Sequence, residues 1–208
     1  MKYPNQLTVL NNGLSLYIPN KECVKDTYDE LLKNDSNTPF PFWAKIWASS
    51  IALCDFLKAH PNWVQGKSVL EIGAGIGLPS FSIANMALRV LISDHAKEAI
   101  DLMQKNIDAL HLMNVTAACL DWNHFPNQIM ADTVLLSDIN YAPDEFAALL
   151  ILLNQFLERG STLIIATPPR MMGVPFIQKL QAFIRQEYKQ QVIEENQSTE
   201  ISVYLLSK

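Results

Sequence analysis

Between Lys67 and Thr167 the chain repeats one pattern: a short apolar run rich in β-branched residues, then a polar loop or a stretch of helical periodicity. The runs are SVLEIG, RVLISD, VTAACL, ADTVLLSD and STLIIAT, and KEAIDLMQKNIDAL and DEFAALLILLNQFLERG between them place apolar residues at helical spacing. Runs that are apolar at nearly every position predict strands buried on both faces. Right-handed crossovers then build a parallel sheet with helices on each side, a doubly wound α/β fold. The end of the chain breaks the pattern. VIEE and ISVYLL are separated only by NQST, too little for a crossover helix, so the last pair is predicted to be antiparallel.

Ahead of this core, LTVL and LSLYIP flank Asn11, Asn12 and Gly13, a turn-forming trio that predicts a β-hairpin. In PFPFWAKIWASSIALCDFLKAH, residues Trp43, Ile46, Trp47, Ile51, Leu53 and Leu57 recur at roughly helical spacing. A helix entered through an aromatic loop and closed before Pro61 is expected there. With 208 residues, 49% of them hydrophobic, and no repeat or linker, one domain is expected, residues 1–65 forming an extension to a core of 66–208. A net charge of -5 disfavours a nucleic-acid partner. Cys23, Cys54 and Cys119 are odd in number and lack a CxxC pair, and His60, His95, His111 and His124 lack ligand spacing. Neither a disulfide framework nor a metal site is expected, and a reducing cytoplasm fits best. No secretory leader or long uncharged apolar window is visible, so no membrane partner is expected.

The chain has seven glycines and spends three of them in VLEIGAGIGL, residues 69–78, directly after the first core strand. Gly73 and Gly75 suit a turn where a ligand lies against bare backbone, and Gly77 lets the next helix pack closely. A dinucleotide fingerprint, G-x-G-x-x-G, would need glycine at Leu78. The acid of the motif, Glu71, would repel a pyrophosphate and attract the ammonium of a methionine moiety, which favours S-adenosylmethionine over NAD. Asp94, at the tip of the second strand, suits a bond to ribose hydroxyls, the reading that the preceding glycine loop favours over a helix cap. Asp121 and Trp122, after the third strand, suit an adenine amino group and ring, though Trp122 also reads as a core residue. The fourth strand ends in Ser137 and Asp138, with Tyr141 three residues beyond Asp138. Asp144 and Glu145 suit the first turn of the next helix. TPPRMMGVPF reads as either a substrate lip or a rigid connection.

Taken in order, these motifs resemble the seven-strand class I methyltransferases, a Rossmann-like fold. Within them the resemblance is to the family 16 lysine methyltransferases, particularly the electron-transfer-flavoprotein β-subunit lysine methyltransferases and their bacterial relatives. It runs over residues 41–176, from PFWAKIWASSIALCDFL through GKSVLEIGAGIGL, LISDHAKEA, LDW and SDINY to TPPRMMGVPF. It implies that Trp47 lines the cofactor, that Gly73, Ala74 and Gly75 lie against its methionine and ribose, and that Asp94 takes the ribose. It also implies that Trp122 flanks the adenine and Ser137 touches the cofactor. Glu71, His95 and Asp121 complete the candidate cofactor set. Asp138 and Tyr141 fit the acid-x-x-aromatic motif associated with the target amine, so Asp138 is expected to accept a bond from that amine. Tyr141, with Trp43 or Phe42, is expected to wall the pocket.

The chain departs from the family by reading ASS after the second tryptophan, where Pro-Gly-Gly is common, and TPPR where related enzymes carry Asp-Pro-Gly-Arg. The expected activity is N-methylation of a protein lysine by a monomer or weak dimer. The alternatives are a small-molecule amine methyltransferase of the nicotinamide type and a cofactor-binding module without catalysis. A nucleic-acid amino methyltransferase would need an Asp-Pro-Pro-Tyr-like motif after the fourth strand, which SDINY is not.

Overall fold

A computed structural model describes residues 3–11, 13–194 and 197–208. The five apolar runs form strands β3 (Ser68–Ile72), β4 (Arg89–Asp94), β5 (Val115–Cys119), β6 (Thr133–Ser137) and β7 (Thr162–Thr167), each parallel to its neighbours among them. They join β8 (Ile184–Glu194) and β9 (Gln197–Leu206) in a seven-stranded sheet of order β5-β4-β3-β6-β7-β9-β8. As expected, β9 runs antiparallel to β8, and it is antiparallel to β7 as well. The predicted NQST turn is shorter than it reads. Glu194 already pairs with Gln197, so Gln197 to Thr199 belong to the ladder, while Asn196 lies outside the described residues.

Side-chain alternation divides the core in two. On one face Val69, Leu135 and Ile164 pack against helices α2 (Ala48–Ala59), α3 (Leu78–Ile83) and α4 (Lys97–Ala109). On the other, Leu70, Val134, Leu136 and Ile165 pack against α5 (Phe146–Glu158) and α6 (Val174–Leu180). Both faces are dry, which is why the strands read as unbroken apolar runs. The chain builds outward from β3 to β4 and β5, then returns to place β6 on the other side of β3. That reversal opens a crevice at the carboxyl ends of the strands.

The N-terminal hairpin forms as expected from β1 (Asn5–Val9) and β2 (Ser15–Pro19), with Gly13 at φ +84° in its turn; Asn12 lies outside the described residues. Asn106 of α4 clamps the hairpin, accepting from Tyr17 N at 2.7 Å and donating to Tyr17 O at 3.0 Å. A helix the pattern did not suggest, α1 (Lys21–Asn34), follows it, capped by the Asn20 side chain on the amides of Glu22 and Cys23. None of its residues is buried, although Val24, Tyr28 and Leu31 do follow helical spacing along one side. Helix α2 starts later than its spacing suggests. Trp43 and Ile46 precede it, Phe42–Ala44 form a single 3-10 turn, and Trp47 caps the helix. Pro39 and Pro41 bias this stretch away from helix, and Trp47 Nε1 fastens it by donating to Phe42 O at 2.9 Å.

Candidate active site

The crevice is a cavity of about 870 Å³, floored by the ends of β3, β4 and β6 and roofed by the aromatic segment 38–47. That volume suits a nucleoside-sized ligand. Gly75 sets the floor. It sits at φ +58°, and a Cβ there would lie 3.1 Å from the backbone oxygen of Trp43. Floor and roof therefore touch main chain to main chain, an approach that only glycine permits. Trp43 in turn packs edge-on against Tyr3, with ring centroids 5.5 Å apart.

Asp94 is a brace between two loops, and the cap position of α4 falls to Ala96 rather than to it. One oxygen accepts from Gly75 N at 2.8 Å and the other from Ala96 N at 2.9 Å, tying the glycine loop to the start of α4. Each oxygen keeps a further lone pair on the cleft side, where a ribose hydroxyl could donate. His95, mostly exposed, stands with Nδ1 3.5 Å from Asp94, and its ring lies 6.4 Å from that of Trp122. Trp122 is half-buried and faces Gly73 across the cleft floor, where a Cβ would come within 3.6 Å of it. It is more than core packing, because Nε1 donates to Glu145 Oε2 at 2.7 Å. Glu145 therefore does more than serve a helix turn: it precedes α5 and hangs the tryptophan over the cleft. Asp121 caps the turn Trp122–His124 and accepts from Asn123 N at 2.9 Å. That bond, with His124 beside it, holds the carboxyl below the usual carboxylate range.

One expected ligand residue is displaced. Glu71 does not line the cleft; alternation along β3 turns it, with Val69, to the face covered by α2, α3 and α4, where it is completely buried. Oε2 accepts from Ser80 N at 3.0 Å and Ser80 Oγ at 2.5 Å, while Oε1 has no partner. Burial pushes its pKa up from 4.5 to about 7, with the Asp94 charge adding to the effect. The folded state thus binds more protons than the unfolded one between those values. The resulting stability is fully present below the ordinary value and is lost as pH rises through about 7. The shift corresponds to roughly 3 kcal/mol. Glu71→Gln should flatten this decline: thermal unfolding at about pH 5 and about pH 8 is expected to show the parent losing several degrees and the variant losing far less. Equal losses would refute the buried proton.

At the far end of the cleft Asp138 adopts φ +58°, a conformation that Asp tolerates better than most residues, and its amide donates to Ala166 O at 2.9 Å. Its carboxylate is gripped through both oxygens by the Arg170 guanidinium, with NH2 to Oδ2 at 3.0 Å. Burial raises the Asp138 pKa, and Arg170 and then Lys45 oppose the rise. Asn140 locks this corner. It accepts from Thr167 Oγ1 at 2.7 Å, and Gly173 lies directly against its side chain. The stretch after β7 is thereby bound to the SDINY turn. Tyr141 lines the cleft 5.2 Å from the Phe42 ring, so Phe42 rather than Trp43 is its aromatic neighbour. Burial, followed by the charges of Asp94, Asp138 and Glu145, pushes its hydroxyl pKa up.

Trp47, Gly73, Ala74, Gly75, Asp94, His95, Asp121, Trp122, Ser137, Asp138 and Tyr141 thus share one cavity, and Glu71 stands behind it. Sequence reading missed Arg170, Glu145 and Asn140 as site-building residues. Among the described residues no cluster of three His, Cys, Asp or Glu side chains could hold a metal ion, and no helix is long and apolar enough to cross a membrane.

A family model described as lysine methyltransferase matches residues 30–183. Mouse histone-arginine methyltransferase METTL23 is 29% identical over 111 residues, which is 50% of this chain and 44% of that protein. The chain spans about half the length of the METTL23 proteins it matches. EEF1A lysine methyltransferase 3 of Xenopus tropicalis is 26% identical over 171 residues, 79% of this chain and 75% of that one. The rat electron transfer flavoprotein β-subunit lysine methyltransferase is 29% identical over 142 residues, 62% of this chain and 51% of its own. Among solved structures, the N-methyltransferase NodS of Bradyrhizobium japonicum with S-adenosyl-L-homocysteine superposes with a TM-score of 0.63 at 12% identity, over 87% of this chain and 98% of that one. This is a likeness of fold.

Proposed function

The chain belongs to the lysine methyltransferase family, and from that premise we propose that it moves a methyl group from S-adenosylmethionine to the side-chain amine of a protein lysine. The observation that carries this reading is the single cavity with the glycine loop, Asp94 and Trp122 on one side and the Asp138 carboxylate on the other. The residues fit the cofactor. The floor at Gly73 is open where a Cβ would crowd Ile139 and Trp122, and Asp94 has lone pairs left for two hydroxyls. When bound, the cofactor supplies an electrophilic methyl on a sulfonium.

The protein's own contribution is alignment and charge. Phe42 and Tyr141 wall the acceptor side, next to the cofactor-lining Trp47, so that nitrogen and methyl meet in line. As the bond forms, positive charge moves from sulfur to nitrogen. A carboxylate fixed beside the nitrogen stabilises that transition state more than the ground state. Arg170 opposes the upward push of burial on the Asp138 carboxyl, and the lone pairs that its two hydrogen bonds leave on the carboxylate can accept an amine N–H.

A guanidinium acceptor is the second reading. It is favoured by the two-pronged grip of Asp138 on Arg170 and by the arginine methyltransferase names of the METTL23 relatives. The net charge of -5 supports a protein rather than a nucleic acid as partner, and the three unpaired cysteines support the cytoplasm. A monomer or weak dimer of one domain completes the reading.

Calorimetry is expected to show micromolar uptake of S-adenosylmethionine and none of NAD. Radiolabelled cofactor added to cell extract should mark protein bands whose hydrolysate contains methyl-lysine. Label in methyl-arginine would select the second reading, label in small molecules would overturn both, and no uptake at millimolar cofactor would end the assignment.

A further inference from the structure

A second cavity, of about 220 Å³, lies beside the first and shares the wall of Lys45, Trp47 and Asp138 with it; Ser49, Arg170 and Glu194 also line it. Ser49 is completely buried, and its hydroxyl has no hydrogen-bond partner. A buried polar group is normally satisfied, so an orphan lining a cavity marks a place for a ligand atom. Ser49 is also the second residue of α2, a 12-residue helix whose first turn has no side-chain cap, so the positive end of the helix opens here. Lys45 Nζ lies over the Trp47 ring at 4.7 Å, with no carboxylate within ion-pairing distance among the described residues. Arg170 has committed only its Asp138-facing donors and keeps others.

The carboxylates facing this space are Asp138, balanced by Arg170, and Glu194, which is half-exposed at the end of β8. The groups left without a hydrogen-bond or ion-pair partner are a hydroxyl, a helix N-terminus and the Lys45 ammonium, which also acts on Asp138 from the shared wall; the set suits a small anion. The volume is several times what one water occupies and too small for a nucleotide.

We propose that this second pocket receives the side-chain carboxylate of an acidic residue that flanks the acceptor residue in the acceptor protein. Its meaning rests on the transferase reading, since the shared wall sets the carboxylate beside Asp138 while the acceptor enters the larger cleft. The protein selects acceptors by an acidic neighbour, and Glu194 at the rim tempers the selection by repelling it.

The test uses N-acetylglutamate amide against N-acetylglutamine amide, titrated into the whole protein with and without saturating S-adenosylhomocysteine. The glutamate compound should bind about tenfold tighter or more, the scale of one charged hydrogen bond. Ser49→Ala should remove most of that preference, and Glu194→Gln should increase it about threefold by removing the repulsion. Equal binding of the two compounds overturns the proposal, as does a preference untouched by Ser49→Ala or reduced by Glu194→Gln. If Ser49→Ala does not fold, the direction of the Glu194→Gln change decides alone. A glutamate preference without uptake of S-adenosylhomocysteine would sink the transferase reading and leave the pocket. Uptake without the preference would do the reverse.

Discussion

Asp138→Asn is expected to lower kcat by about a hundredfold to a thousandfold, while the affinity for S-adenosylmethionine stays within about threefold of the parent. Asn has the same shape and also tolerates a positive φ, so the turn at +58° survives. What disappears is the negative charge beside the nitrogen that becomes cationic. Arg170 loses its counter-ion, but a third of its side chain is exposed and water can hydrate it, so unfolding should shift little. The split between rate and affinity is the diagnostic, because Asp138 is not among the residues that hold the adenosine side. Single-turnover transfer from radiolabelled cofactor, with calorimetry on the same sample, measures both. An unchanged rate would remove Asp138 from the chemistry.

Gly75→Val is expected to weaken cofactor binding by at least about a hundredfold, the combined effect of left-handed strain of about 1–2 kcal/mol and a lost main-chain contact. The new Cβ would press on the Trp43 carbonyl 3.1 Å away, and backbone cannot swing aside as a side chain can. The push moves the roof that carries Phe42 and Trp47 and strains the Gly75 to Asp94 hydrogen bond. Gly13→Val is the control: its φ of +84° brings the same kind of strain, yet nothing lies within 4 Å of its Cβ. Both variants should lose stability, and only the first should lose cofactor. Equal affinities in the two would show that the loop does not form the binding floor.

The strands were legible because a sheet covered on both faces needs apolar residues at nearly every position, and SVLEIG or STLIIAT can do little else. The same double burial hid Glu71. When both sides of a strand are apolar, sequence does not reveal which face a residue joins, and Glu71 went with Val69 into the layer of α2, α3 and α4, behind the cleft at the strand ends. Helix α1 was overlooked although Val24, Tyr28 and Leu31 keep helical spacing, because charged residues dominate the segment and none of it is buried. Trp43 and Ile46 kept helical spacing by coincidence, in a loop that Pro39 and Pro41 hold out of helix. Of the site, the strand-end residues were legible because topology places them together. Arg170 was not, because it meets Asp138 across 32 residues of chain, and no local pattern encodes such a meeting. Glu145 looked like an ordinary first-turn acid until Trp122 appeared beside it.

The edge-on packing of Tyr3 on the Trp43 ring, and of the Trp43 backbone on Gly75, has a mechanical corollary. Two contacts in a short column connect the Tyr3 side chain to the floor of the cleft, so the ceiling is propped from outside the sheet. A fusion tag or a protease nick that drags Tyr3 from its seat would let that ceiling lift, and the protein would surrender its adenosyl guest while its central scaffold stayed intact.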